Sequence, residues 1–353
     1  MKKLLASVML MATAQLAIAG DQLHLFNWND YIAEQTVEDF ENSCNCRLVQ
    51  DYYSSTEEMM AKLLAGASGY DVVVPTQNAV QALIKQGFLQ PLDKTQLTHF
   101  KNIDSGFLNR SYDPANTYSV PYAFTTTLIG YNEQQLKKLG VQANDWAVIF
   151  DPDVLKKLQG KVTVMDDAEE LFAAALKYLG YSVNDRDKKH LREAQQVIMK
   201  AKPYWAAFNS SSYIKDLTVG NIWVAHGYSS DMVQARADAK AAARDFTVAY
   251  ALPKQGAVLA LDNLVIPKQA KNMALAYQFI NFMLLARNAA ALTNEIGAGN
   301  PNRAAAEFID AELKQQQAIF PDAATLTTLE TIDASNAKQR RLLNKLWTEI
   351  KIK

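Results

Sequence analysis

Apolar residues fall in short runs set between stretches of helical periodicity, almost from end to end of the chain. Leu23, Leu25 and Phe26 make a strand-like run, and Ile32, Thr36, Val37 and Phe40 continue at helical spacing. Leu48 to Tyr53 reads as a second strand. Ser55 and Glu58 form an S-x-x-E capping box ahead of a helix through Met59, Met60, Leu63 and Leu64. The run Asp71-Val72-Val73-Val74, stopped by Pro75, suits a parallel strand buried on both faces. A helix from about Asn78 to Lys85 follows, with Gly87 beyond its end. The order is βαβα, which predicts an α/β fold.

Two segments depart from this rhythm. Pro121 to Asn132 (PYAFTTTLIGYN) is β-branched, long for one strand and without a turn signal, so it is expected to pass from one lobe to another. A second crossing is expected near Tyr250 to Val258, where a strand-like stretch meets Pro253 and Gly256. The crossings divide the chain into two discontinuous lobes: 20–124 with 256–300, and 125–255 with 301–353.

The first nineteen residues stand apart. Lys2 and Lys3 precede a largely apolar Leu4–Leu16, and Ala17-Ile18-Ala19 is a small-x-small cleavage site, so 1–19 reads as a secretory signal peptide too short for a membrane span. No Cys follows the site to carry a lipid, and a soluble, periplasmic protein is expected. Of 353 residues 334 then remain, about right for two domains. Losing Lys2 and Lys3 leaves 34 basic against 37 acidic residues, a formal charge of −3, which argues against nucleic acid as a partner. Cys44 and Cys46, spaced C-x-C, either close a small disulfide or remain two thiols. The four histidines show no ligand spacing, so neither metal nor cofactor is expected.

Catalytic motifs are missing as well. Gly227-Tyr228-Ser229-Ser230-Asp231 approaches G-x-S-x-G, but Asp231 stands where the nucleophile elbow needs a glycine, and no phosphate-cradling glycine motif occurs. What remains is a set of acids and aromatics at expected strand ends: Trp28, Asp30 and Tyr31; Asp167 and Glu170 after Val162-Thr163-Val164; Tyr228 and Asp231 after Ile222-Trp223-Val224-Ala225; and Asp262 between two apolar runs. Caps explain some of these, since Asp167 and Glu170 fit a D-x-x-E box and Asp231 could cap a helix beginning at Met232. Asp262 has no such explanation, and an unpaired buried carboxylate is costly. Acids combined with aromatics suit an elongated cation whose ammonium ends need carboxylates and whose methylene chain packs on ring faces.

The stretches LHLFNWNDYI, GYDVVVPT, QPLDK, PYAFTTTLIGYN, DDAEELF, FNSSSYIKDL, VAHGYSSD, LALDNLVIP and NPNRAA, in this order, resemble the spermidine/putrescine-binding proteins of polyamine ABC transporters over nearly the whole mature length. The resemblance implies a two-lobed periplasmic binding protein fold of type II, each lobe a mixed, mainly parallel sheet flanked by helices, closing on a ligand and docking on an inner-membrane permease. It implies a monomer without catalysis. Its ligand residues fall on Trp28, Asp30, Tyr31, Asn78, Asp167, Glu170, Tyr228, Asp231 and Asp262. Tyr228 stands where a tryptophan is usual, and Ala260 and Ala298 replace aromatics. These changes leave room for a different cationic solute, such as an amino acid or agmatine. A polyamine sensor and a secreted carboxylate hydrolase are the remaining alternatives.

Overall fold

The computed structural model describes residues 21–29, 31–66 and 68–352. The expected signal peptide and Asp30 lie outside the described residues. Nine strands form among those described: β1 (Gln22–Trp28), β2 (Arg47–Tyr53), β3 (Val72–Val73), β4 (Ser119–Asn132), β5 (Val162–Val164), β6 (Ala207–Phe208), β7 (Val224–Tyr228), β8 (Val248–Ala251) and β9 (Leu259–Val265). The first-lobe order is β2-β1-β3-β9-β4, with β1 parallel to both neighbours and β9 antiparallel to β3 and β4. In the second lobe β4 runs antiparallel to β7 and β8, and β5 runs parallel to β7 and β6. The mixed α/β sheet agrees with the βαβα reading.

The long run ending at Asn132 is a single fourteen-residue strand that belongs to both lobes. Ser119 to Thr126 pair with β9, and Thr127 to Asn132 pair with β7 and β8. The expected second crossing runs from the end of β8 through 252–257 to the residue before β9. The expected division also implies a third passage after residue 300, and its chain runs beside the second: Glu330 pairs with Val258, its N–H donating to Ala257 O at 3.1 Å and its carbonyl accepting from Leu259 N at 2.9 Å. The tail from 301 touches both lobes on its way. Asp104 N donates to Pro301 O at 2.8 Å in the first, Arg236 pairs with Glu312 at 2.9 Å in the second, and the Ala337–Ile352 helix then packs on the second-lobe helix Lys188–Ala201.

Leu23, Val72 and Val73 are fully buried, as expected of strands covered on both faces. Over them Phe40 of the Glu34–Cys44 helix meets Phe279 of the Met273–Met283 helix edge-on at 5.0 Å. Two buried carboxylates are completed by backbone donors, Asp71 across distant segments and Asp113 within its own loop. Asp71 accepts from the backbone N–H groups of His24, Lys271 and Asn272 at 2.8 to 3.0 Å. Asp113 accepts from Thr117, Tyr118 and Ser119 N–H and from the Ser119 hydroxyl at 2.8 to 3.0 Å. Cys44 and Cys46 form a disulfide across Asn45, whose φ of 49° is the left-handed conformation that ends the Glu34–Cys44 helix.

Candidate functional site

Between the lobes lies an open cleft of about 570 Å³. Of the residues expected to meet a ligand, Trp28, Tyr31, Asn78, Asp167, Glu170, Tyr228 and Asp262 line it. Each arrives by a local rule of the fold. Trp28 ends β1, and Asn78 sits in the first turn of the Gln77–Lys85 helix, its Oδ1 accepting from the Thr76 hydroxyl and Ala79 N. Asp167 caps the Ala168–Tyr178 helix, accepting from Glu170 N at 3.0 Å, so the cap reading of the sequence is right for Asp167 and leaves the Glu170 side chain free for the cleft.

Asp262, expected at a strand end between two apolar runs, lies inside the single strand β9. Alternation along the strand sends Val258, Ala260 and Asp262 to the cleft side, where all three line it. Asp262 is 6% exposed. One oxygen accepts from the Tyr31 hydroxyl at 2.9 Å, while Oδ1 has no partner among the described residues. Burial pushes this carboxyl up to about 7, opposed by Tyr31 and weakly by the Trp28 indole. The indole N–H stops short of a hydrogen bond and is itself unpartnered among the described residues. Rings enclose this end: Trp28 meets Tyr53 at 4.5 Å, Tyr31 meets Tyr122 at 5.9 Å, and the Tyr122 hydroxyl donates to Tyr31 O at 2.9 Å.

Glu170 marks the other end. It is 8% exposed, and its Oε2 also lacks a partner among the described residues. Burial, with the neighbouring Asp167, pushes its carboxyl up to about 8, while the Thr127 hydroxyl opposes the shift. Thr127 N donates to Val258 O at 3.1 Å, so Glu170 stands at the Val258 end of the β9 face. From Val258 to Asp262 is four residues, about 13 Å of strand, with Ala260 between. The Tyr228 hydroxyl, raised by burial and by Glu170, Asp167 and Asp231, stays neutral beside them.

Two expectations need adjusting. Asp231 does not line the cleft: the helix starts at Ser229, so Asp231 falls in its first turn, and its carboxylate accepts from the Tyr213 hydroxyl behind Tyr228. Ala298 is fully buried and away from the cleft lining, so of the two lost aromatics only Ala260 bears on its shape. Sequence reasoning passed over Glu57, Glu169, Val258 and Ile332, all of which line the cleft. Glu57 and Glu169 read as ordinary first-turn acids, and Ile332 lies outside any regular element.

Two α/β lobes on a shared strand, with a cleft of buried acids and aromatic rings between them, define a two-lobed solute-binding protein. A family model described as bacterial extracellular solute-binding protein matches residues 35–321, and the chain belongs to that family. It is a binding protein, not an enzyme. It is 64% identical over 353 residues to a putrescine/cadaverine-binding protein of Pseudomonas aeruginosa, covering all of both chains. It is 36% identical to the putrescine-binding periplasmic protein PotF of Escherichia coli, over 97% of this chain and 95% of that one. Among solved structures, the spermidine/putrescine ABC transporter substrate-binding protein PotD of Streptococcus pneumoniae is 28% identical and superposes with a TM-score of 0.87, covering 94% of this chain and 99% of that one.

Proposed function

We propose that this chain is a periplasmic receptor that captures a short α,ω-diamine, putrescine or cadaverine, in the interlobe cleft and delivers it to an ABC permease. One observation carries the reading: two buried carboxylates, Asp262 and Glu170, stand at opposite ends of one strand face, each with an oxygen lacking a partner among the described residues. Buried acids left this way are costly unless a cation completes them. The Val258–Ala260 surface between them suits methylene groups, and Trp28, Tyr31 and Tyr228 supply ring faces for the ammonium ends. Asn78 and Asp167 add polar contacts at the rim, and Asp231 holds Tyr213 and so supports Tyr228. The names of the relatives support the same ligand class.

A cleaved signal peptide at 1–19 accounts for delivery to the periplasm. Among the described residues, no helix is long and apolar enough to cross a membrane. The protein acts as a monomer, its ligand held between its own lobes. Calorimetry with putrescine, cadaverine, spermidine and agmatine tests the ligand. Saturable one-to-one binding of either diamine is expected. Binding of agmatine alone would shift the reading to guanidinium amines and credit the space beside Ala260, and no heat from any of the four would end it.

A further inference from the structure

The third passage between the lobes contributes directly to the cleft. Ile332 lines it and packs on Ala173, Val183 and Val258, at the Glu170 end of the strand face. It lies in an extended stretch with no helix or ladder of its own, yet both flanking peptides are held by one side chain. Asn184 Nδ2 donates to Thr331 O at 2.8 Å, and Asn184 Oδ1 accepts from Asp333 N at 2.8 Å. Two residues earlier, Glu330 accepts from Lys177 Nζ at 2.7 Å and from the Ser182 hydroxyl. Lys177 lies in the last turn of the helix whose first turn holds Glu170. Gly256 shows how close the crossing segments run: a Cβ there, at φ +90°, would stand 2.1 Å from Thr328 O. The amide of Asn184 and the Lys177–Glu330 ion pair thus fix Ile332 to the same body as Glu170.

We propose that Ile332 sets the ligand's chain length, with Asn184 and Glu330 as its positioning residues. The inference rests on the diamine reading. Glu170 and Asp262 fix where the two ammonium groups go, so the volume of the apolar wall decides how many methylenes fit between them without a void or a clash. Ile332 forms that wall where it meets Val258. A branched side chain, stiff about its first torsion and pinned on both sides, makes a fixed stop.

The test is calorimetry of the full chain against the α,ω-diamines of three to six carbons. In Ile332→Ala the affinity for the parent's best diamine should fall on the order of tenfold while the six-carbon diamine falls less or gains, moving the optimum to longer chains. Ile332→Met should move it toward shorter ones. Asn184→Ala should broaden the profile, and Asn184→Gln should not rescue it, because both peptide bonds depend on the shorter amide. Ile332→Val, expected to fold in any case, should show a smaller shift of the same sign. Profiles that remain parallel to the parent in all the Ile332 variants would overturn the inference. A parent that binds none of the diamines would instead overturn the functional reading on which it rests.

Discussion

Two pairs of buried acids divide this molecule by purpose. Asp71 and Asp113, 1% and 3% exposed, sit in the first lobe with both oxygens met by backbone N–H groups. Asp262 and Glu170, 6% and 8% exposed, each keep an oxygen that no described residue meets. Burial is nearly the same in both pairs, so burial does not separate structural acids from binding acids. Completion of the hydrogen bonds does. The first pair is finished by the fold itself, and the second, on the proposed function, is finished by the ligand's ammonium groups.

The largest effect that would break this division is on stability. Asp113→Ala should remove an acceptor from three backbone donors and a hydroxyl, costing at least about 3 kcal/mol in urea unfolding, while Asp262→Ala should leave the ligand-free protein no less stable. Equal losses from both would erase the distinction. Next comes binding: Asp262→Asn should weaken a diamine by at least about 2 kcal/mol, roughly thirtyfold, in calorimetry. Asp113→Asn, where it folds, should leave diamine affinity within about twofold of the parent.

Acidity sharpens the comparison further. Glu170 and Asp262, pushed up to about 8 and about 7, are held above the value an unfolded chain would give them. Below those pH values the ligand-free fold keeps protons that the unfolded chain releases until about pH 4, so these two groups add stability as pH falls from 8 toward 4. Binding runs the opposite way. An ammonium favours the carboxylates, so capture expels the protons, and affinity should drop as pH falls through 8 and then 7, by about tenfold per pH unit for each group still protonated. Calorimetry at pH 6 in buffers of different ionisation enthalpy should register proton release, and a pH-independent affinity between 6 and 8 would contradict it. The smallest expected change is a gain. Ala260→Trp should add a ring beside the methylene chain and tighten putrescine by about 0.5 to 2 kcal/mol, read in the same titration.

The sequence disclosed the α/β order, the crossing at Pro121–Asn132 and most of the cleft acids, because each rests on a local signal: a periodicity, a cap, a strand end. It misplaced what depends on distant chain. LALDNLV reads as two apolar runs broken by an acid, whereas the ladder with β4 keeps Leu259–Val265 in one strand and turns Asp262 into the cleft. Asp71 gave no sign of its role, since two of its donors lie two hundred residues away at Lys271 and Asn272. Ile332 was invisible for a related reason: nothing within the stretch Leu329–Asp333 holds it, and Asn184 and Lys177 do. Asp231 shows the converse error, a residue that reads as a cleft acid but falls in a helix first turn, its carboxylate engaged by Tyr213.

The place of β9 between β3 and β4 has a consequence for the order in which the protein takes shape. Every strand of the second-lobe sheet lies between Ser119 and Ala251, an unbroken stretch of chain. The first-lobe sheet, in contrast, stays in two pieces until Leu259–Val265 arrives to join Val73 to the front half of β4. Contacts that span nearly two hundred residues are slow to close, so a chain emerging from its N-terminus has all the strands of its second-lobe sheet before those of the first. The strand that finishes the other lobe is also the one that carries Asp262. On the proposed function, capture of a ligand therefore depends on a strand that joins its sheet late.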